Sequence, residues 1–415
     1  MHGWAPDIIG AIGEPTTDAE GYLHASFTDS LTSRAAGRQG LGRIYTRSEG
    51  RDDQTTWQTR NAQHDAVLKW GRRTSGCSSG SPRSNEKDAS MPDFPAFPST
   101  TGGEFVAPSK DLVLPVGAHV DQLFRRTMTE PFVLQRLSER SYWVEVGVFA
   151  TLFYVGEESV LLMDPIEHCY DGVVAAIESV TAKPLSTVVY THFHADHIGD
   201  APRYVEQARQ DGLTLRIVAS DMTARKLDAV GSVLPRPTET VAWPKGGFAF
   251  EDLGVQMHGF EWAAHTDDHS AWQLATERIV HCPDLMGPDQ PPFWRFTANE
   301  RFLFAERNLN EVQEMEWDFL SAGHANIGSR ADVQFELGYY RDIRNAVIQA
   351  FEANPFSGFI DPSQGAHTAW FPAQLAAVAK DAVDLMRPKY GQYYGFEAGA
   401  PSNAELAAFT VFAFR

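Results

Sequence analysis

The chain has few cysteines, three in 415 residues, and none of them forms a CxxC pair. This usage provides no disulfide framework and favours a reducing cytoplasm. No run approaches the roughly 18 apolar residues that a membrane span requires. The first residues contain no basic segment followed by an apolar one, so we expect no secretory signal. Together these absences predict a cytoplasmic protein that does not insert into a membrane.

Positive charge is also scarce, since 35 Lys and Arg stand against 54 Asp and Glu, for a net charge of −19. Residues 1–90 are electrically balanced, so the acidic excess lies in residues 91–415. Binding to nucleic acid or to an anionic membrane requires a basic face. We therefore expect neither of these partners and predict a small-molecule substrate.

The first 90 residues differ from the rest of the chain. Residues 71–90 consist mainly of Ser, Gly, Arg and other small polar residues, and no apolar periodicity precedes them. Such a segment buries too little apolar surface to offset its ordering entropy. We predict that residues 1–90 are a disordered extension or upstream sequence wrongly included, because Met91 precedes an ordinary start. Residues 91–130 would then form an N-terminal arm, 131–345 the main domain, and 346–415 a helical extension packed on it.

Residues 191–197 read Thr-His-Phe-His-Ala-Asp-His, directly after the apolar β-branched run 187–190. In an extended loop, His192 and His194 share parity and can point to the same side. Asp196 and His197 follow and can face a second ion. Imidazole and carboxylate ligands without thiolate suit zinc, iron or manganese. The cluster therefore predicts a metal site at the end of a buried strand.

This His-x-His-x-Asp-His cluster resembles the signature of the metallo-β-lactamase superfamily. Four further landmarks of that family follow its usual order in the sequence. They are Asp164 after the strand 159–163, His265 in Ala264-His265-Thr266, Asp284 after the strand 279–282, and His324 after 319–323. The resemblance covers roughly residues 130–345. It implies an α/β fold, the four-layer αββα metallo-β-lactamase-like sandwich, with metals at one edge between two sheets.

The resemblance also implies a binuclear site with two zinc ions, for which iron or manganese could substitute. The first ion would be held by His192, His194 and His265, and the second by Asp196, His197 and His324. Asp284 would bridge the two ions. Asp164 is expected to accept hydrogen bonds from the ligand loop without touching metal, as supporting carboxylates do.

Two positions depart from the family pattern. Asp267 and Asp268 follow the pair His265-Thr266 where the family often has Pro-Gly, and Pro283 replaces the usual glycine before Asp284. Both changes alter the loops that frame the substrate. Asp196 is a candidate for protonating the leaving group. His269 is either a proton shuttle in catalysis or a surface residue on a polar loop.

The segment 287–296 follows Asp284 and contains three prolines and an aromatic cluster. Phe293, Trp294 and Phe296 would either form an apolar wall of the substrate site or pack the loop onto the core. Arg295 would serve as an anion hook. Two long helices are predicted at 330–352 and 372–386, and the second either packs on the sandwich or forms a homodimer contact.

The resemblance implies a metal-dependent hydrolase in which a metal-bound hydroxide attacks an ester, lactone or thioester carbonyl. Ester or lactone is favoured over β-lactam because no export signal is visible. A thioesterase acting on glutathione conjugates would need a basic cluster, which we do not find. The alternative is an iron-dependent redox enzyme or sulfur dioxygenase on the same fold. A non-catalytic binding module would have lost ligands, and none is lost.

Overall fold

The computed structural model describes residues 96–414 and, nearer the N-terminus, the backbone of β1 (Thr16–Thr17) and β2 (Leu23–His24). The chain divides into two compact units, residues 1–88 and 89–415. In the first unit, β1 and β2 form an antiparallel pair. The prediction of disorder for residues 1–90 otherwise lies outside the described residues.

Two β-sheets form the centre of the second unit. The first has seven strands in the order β11-β10-β9-β8-β7-β6-β5, and the second has five in the order β12-β13-β14-β15-β16. A short parallel pair, β3 and β4, lies outside both sheets. The strands are β3 (Phe105–Val106), β4 (His119–Val120), β5 (Val133–Arg136), β6 (Ser141–Val146), β7 (Phe149–Val155), β8 (Val160–Met163), β9 (Leu185–Tyr190), β10 (Arg216–Ser220), β11 (Glu239–Val241), β12 (Lys245–Phe250), β13 (Leu253–Gly259), β14 (Ser270–Leu274), β15 (Ile279–His281) and β16 (Phe319–Ser321).

Within residues 96–414, ten helices cover or extend these sheets. They are α1 (Leu123–Thr129), α2 (Tyr170–Val180), α3 (Ala195–Ile198), α4 (Ala201–Gln210), α5 (Asp221–Ala229), α6 (Trp294–Ala298), α7 (Ala305–Glu314), α8 (Arg330–Ala353), α9 (Trp370–Tyr390) and α10 (Phe396–Phe414), with 3₁₀ turns at Phe302–Phe304, Phe356–Phe359, Pro362–Gln364 and His367–Ala369. None of the helices in this described part is long and apolar enough to cross a membrane.

Apolar runs in the central strands are buried on both faces of their sheet. Trp143 and Leu161 belong to the core between the two sheets, whereas their neighbours Val144 and Leu162 pack against the outer helices. Because successive side chains of a strand point to opposite faces, a continuous apolar run predicts such a doubly covered strand. Helices α2 and α4 cover the first sheet, and α7 and α8 cover the second. The predicted αββα sandwich is confirmed.

The C-terminal helices α8, α9 and α10 pack against one another around a separate apolar core. In this core, Val378 and Ala382 of α9 lie with Ile343 and Val347 of α8. The second long helix thus packs against α8 and α10, and a homodimer contact through its remaining surface stays a prediction. Helix α8 begins with a capping box at Ser329 and runs without a break across residue 345, where we had placed a domain boundary.

His119, which sequence alone gave no reason to single out, is buried and joins the N-terminal arm to the sandwich. Its Nε2 lies 3.2 Å from a carboxylate oxygen of Asp332, and its Nδ1 lies 3.3 Å from Asp289. Burial alone would lower the pKa of His119, but the hydrogen bonds to these two carboxylates outweigh it and raise the pKa to about 10. His119 is consequently a buried cation that holds three chain segments together.

Candidate metal centre

The ligand loop begins where β9 ends, beside the end of the parallel strand β8. Asp164 follows β8 and is completely buried. Its carboxylate accepts hydrogen bonds from the backbone N–H of Thr191 at 2.8 Å and from the Thr191 hydroxyl at 2.7 Å. His281 Nε2 lies 3.2 Å from the same carboxylate. The predicted supporting role of Asp164 is confirmed, because these bonds fix the residue that precedes His192.

Four predicted residues meet in a first group: His192, His194, His265 and Asp284. The Nε2 atom of His265 lies 3.3 Å from His192 Nε2 and 3.0 Å from His194 Nδ1. Asp284 Oδ2 lies 3.1 Å from His265 Nε2 and 3.6 Å from His192 Nε2. The residues come from three separate loops, after β9, before β14 and after β15, that end at one edge of the sandwich.

The hydrogen bonds of these imidazoles identify which nitrogens carry lone pairs. His192 Nδ1 lies 3.1 Å from the Thr191 hydroxyl, which already donates to Asp164 and must therefore accept from His192. His265 Nδ1 lies 2.9 Å from the carbonyl oxygen of Thr297 and must donate to it. The two Nε2 atoms, 3.3 Å apart, thus face each other as acceptors. Such an arrangement is repulsive unless a cation lies between them, and it fits a metal ion.

Electrostatics favours the same set of protonation states. Burial lowers the pKa of His192 well below its usual value and the pKa of His194 to about 4. Burial alone would raise the pKa of Asp284, but the surrounding histidines, His197 and His265 first among them, hold that pKa well below its usual range. Neutral imidazoles and an ionised carboxylate are the forms that bind zinc and similar metals.

A second group contains Asp196, His197, His324 and again Asp284. Asp284 Oδ2 lies 3.0 Å from His197 Nε2, and its other oxygen, Oδ1, lies 3.2 Å from His324 Nε2. His324 Nδ1 donates to the Val148 carbonyl at 2.8 Å, and this bond directs His324 Nε2 towards Asp284. Asp284 therefore stands between the two groups, where the sequence placed a bridging ligand.

Gly323 explains how the backbone brings His324 close to His197. Its φ is +80°, a left-handed conformation that side chains disfavour. A Cβ atom at this position would lie 2.8 Å from His197 Cε1 and 2.7 Å from Pro283 Cβ. The position requires glycine for both reasons.

His265 depends on an unusual segment for its orientation. Residues 295–298, most of α6, all have positive φ, between 50° and 61°, and form a left-handed turn without glycine. The Thr297 carbonyl of this turn accepts from His265. Asn403 of α10 is completely buried beneath it: its Oδ1 accepts from the Phe296 N–H at 2.7 Å, and its Nδ2 donates to the Pro292 carbonyl at 2.6 Å. The C-terminal helix thus stabilises the turn that orients His265.

His269, one of the two catalytic candidates, is buried with 1% of its surface exposed. The surface alternative for this residue is therefore wrong. Its Nε2 donates to the Pro283 carbonyl at 2.6 Å, next to Asp284, and burial lowers the pKa of His269 to about 3. The neutral imidazole thus contacts the loop that carries Asp284. A role in proton transfer stays a prediction.

The remaining candidates occupy varied positions. Asp196 has 37% of its side chain accessible. Asp267 pairs with Lys226 and Arg301, away from both groups. His168, four residues after Asp164, has 84% of its side chain exposed.

A cavity of about 500 Å³ opens beside His324. The aromatic residues of the loop after Asp284 were expected either to form a wall of the substrate site or to pack the loop onto the core, and the structure shows both. Phe293 and Trp294 line this cavity, whereas Phe296 is buried in the C-terminal core. Arg295 is not among the lining residues, so the structure does not place it as an anion hook for this cavity.

Comparison with known proteins identifies the class. Residues 143–335 match the model of the metallo-beta-lactamase superfamily. The match includes all seven predicted ligands, the whole second sheet and all of the first sheet except β5 and the start of β6. The sandwich domain of this chain therefore belongs to that superfamily, most of whose members are hydrolytic enzymes and which typically binds divalent metals.

Solved structures with a similar fold include a metallo-beta-lactamase from Pontibacter korlensis, with 17% identity over 51% of this chain and 99% of that chain, at a TM-score of 0.43. The VMB-1 structure matches with 16% identity over 51% of this chain and 98% of its own, at a TM-score of 0.42. The DIM-1 metallo-beta-lactamase matches with 14% identity over 51% and 97%, also at 0.42. Among curated proteins, no significant match is found.

Proposed function

We propose that this chain is a binuclear metal-dependent hydrolase, with zinc as its metal, that acts on an ester or lactone carbonyl. The observation that carries the proposal is that the lone pairs of His192 Nε2 and His265 Nε2 face each other at 3.3 Å, with Asp284 between this group and the second. In the second group, His324 Nε2 lies 3.2 Å from Asp284. Positive charge between the two facing Nε2 atoms removes their repulsion, and imidazole with carboxylate is a ligand set suited to zinc.

The proposed ligands are those predicted from sequence, and each group contains four of their atoms within 4.8 Å of one another. His192, His194 and His265 would hold one ion, and Asp196, His197 and His324 the other, with Asp284 shared. When bound, such a metal pair supplies Lewis acidity and lowers the pKa of a water molecule towards about 7. Four of these seven ligands lie in the loop 191–197 that follows β9.

The chain's own residues would complete the hydrolysis. Water adds its oxygen to the carbonyl carbon, the ester C–O bond breaks, and the alcohol leaves with a proton. Asp196 is suited to carry that proton because its side chain is partly exposed to solvent and its Oδ2 lies 3.6 Å from His197 Nε2 in the second group. For His269 we favour a positioning role instead, since its Nε2 is already engaged by the Pro283 carbonyl.

The test is metal content by mass spectrometry together with a screen of esters, lactones and thioesters. We expect about two zinc ions per chain and turnover that a chelator abolishes. Asp284→Ala should lose both metals and activity, because one side chain serves both groups. Asp318→Ala is the matched control, since this half-exposed aspartate pairs with Arg278 away from the site.

The outcomes separate the hypotheses. Two bound metals without hydrolysis of any compound in the screen would overturn the hydrolase. A single iron without hydrolysis would favour the redox or sulfur dioxygenase alternative. Full activity in Asp284→Ala would refute the shared ligand.

A further inference from the structure

The cavity beside His324 is built from parts of the chain that are far apart in sequence. Phe149 comes from the β6–β7 hairpin, Phe293 and Trp294 from the loop after Asp284, and Tyr394 from the junction between α9 and α10. The His324 ring contacts two of these walls, with ring centroids 5.2 Å from Phe149 and 5.4 Å from Phe293. The cavity is thus continuous with the second ligand group.

The lining of this cavity is apolar and contains no lysine or arginine. A volume of about 500 Å³ lies within the range of pockets that enclose small organic ligands. A substrate portion with a carboxylate or phosphate would have no cation here to neutralise it, and an unpaired buried charge is costly. The walls therefore select against anionic groups.

Glu145, Gln290, His324 and Tyr394 bring polar groups to this otherwise apolar wall. Glu145 lies on β6 with 1% of its surface exposed, and its Oε2 has no hydrogen-bond partner within residues 96–414. Burial raises the pKa of Glu145 well above its usual value and so favours the neutral carboxyl, a form that can donate a hydrogen bond. A buried donor or acceptor left without a partner is rare in folded proteins and indicates a ligand or water at that position.

We propose that this cavity holds the uncharged apolar portion of the substrate and that Glu145 hydrogen-bonds a single oxygen on that portion. The substrate is accordingly an ester or lactone of a medium-length or aromatic acyl group that carries a hydroxyl or keto oxygen and no charge. This inference rests on the proposed hydrolase function for its reaction, while the binding cavity is tested separately below.

Ala398 offers a way to fill the cavity without disturbing the core. It lines the cavity from α10, and its own side chain is exposed. Ala398→Trp should place an indole in the space while leaving the fold intact. Ala413→Trp is the matched control, because Ala413 is an exposed alanine on the same helix that does not line the cavity.

The hydrolysis experiment uses 4-nitrophenyl acetate, butyrate, hexanoate and octanoate with the metal-loaded full chain. We expect kcat/KM to rise about fourfold for each buried methylene in the wild type and in Ala413→Trp. In Ala398→Trp the rise should stop at the shorter esters. The 4-nitrophenyl monoester of adipic acid, which ends in a carboxylate, should fall well below hexanoate. A flat series, or equal behaviour of the two tryptophan variants, would overturn the proposal.

A binding experiment separates the cavity from the reaction. Hexan-2-one and octan-2-one, which cannot be hydrolysed, are titrated into the same proteins by calorimetry. Tighter binding of the longer ketone that disappears in Ala398→Trp supports the cavity even if no ester is hydrolysed, in which case the proposed function alone has failed. Absence of length dependence overturns the cavity even if esters are hydrolysed.

The role of Glu145 is tested with octanoate esters that carry one hydroxyl or keto group at successive positions. We expect at least one of them to exceed octanoate by fivefold or more in the wild type. The preference is measured as the ratio of kcat/KM for the oxygenated ester to that for plain octanoate. Glu145→Gln, which keeps a donor, should retain it, and Glu145→Leu should lose it. If no oxygenated ester is preferred, or if the preference survives in Glu145→Leu, Glu145 does not recognise the substrate.

Discussion

Replacing Asn403 with alanine should weaken metal binding at a centre to which Asn403 contributes no ligand. Its side chain forms two buried hydrogen bonds, from the Phe296 N–H and to the Pro292 carbonyl. The adjoining turn carries the Thr297 carbonyl that orients His265. Loss of the Asn403 side chain would therefore loosen the turn 295–298 and, with it, the orientation of the His265 imidazole.

The magnitude follows from comparing the strain in the turn with the bonds that oppose it. A left-handed conformation costs about 1–2 kcal/mol per residue without glycine, so four such residues store roughly 4–8 kcal/mol. Asn403→Ala leaves the Pro292 carbonyl unpaired, which costs about 1–3 kcal/mol, and leaves the Phe296 N–H with only its bond to the Phe293 carbonyl at 3.1 Å. Because the lost bonds oppose the strain of the turn, the turn should relax, and loss of a partner that orients a ligand typically lowers metal affinity about 10–100-fold.

The assay is zinc affinity by competition with a chromophoric chelator, with thermal unfolding of the metal-free protein as a check of the fold. Thr410→Val is the matched control, since Thr410 is another buried polar residue of α10 and its hydroxyl bonds to the Leu406 carbonyl of the same helix. Thr410→Val should leave zinc affinity unchanged. An Asn403→Ala protein that folds and binds zinc as tightly as the wild type would refute the reasoning.

Three further predictions concern other supports of the site. The pKa of His119 is raised from 6.5 to about 10, so its contribution to stability is fully present below about pH 6.5 and is lost as pH rises through about 10; urea unfolding of His119→Gln across this range should show a smaller decrease with pH than the wild type. Gly323→Ala should lose at least tenfold in metal affinity, measured by chelator competition, because the new Cβ meets His197; unchanged affinity would contradict the close contact. Asp164→Asn removes a carboxylate oxygen that accepts from Thr191 and should lower metal affinity about tenfold while circular dichroism stays the same.

The sequence predicted those elements whose signals are local. The helix 170–180 and the strand 319–321 follow from apolar spacing within a few residues, and the ligand loop after β9 is visible as a motif. The landmarks at His265, Asp284 and His324 could be placed because each follows a strand in the order typical of the family. Their convergence at one edge of the sandwich then depends on the fold that the order implies.

Other features could not be predicted because their signals are not local. Helix α10 has apolar residues on all sides and carries an internal Pro401, so no amphipathic period marks it. Asn403 and Glu145 look ordinary in sequence, and their importance arises from burial against segments far along the chain. The left-handed turn at 295–298 contains no glycine to announce it, since it is imposed by the packing of Phe296 and the bonds from α10.

The dependence of the turn on α10 also bears on how variants of this protein should be sampled. A mutant library restricted to residues 143–335, where the family pattern lies, would vary the ligands and leave out Tyr394, Ala398 and Asn403. Those positions shape the cavity and support the carbonyl that orients His265. Selection for a new substrate should therefore recover changes in the last two helices, which a comparison of ligand motifs among homologues would pass over.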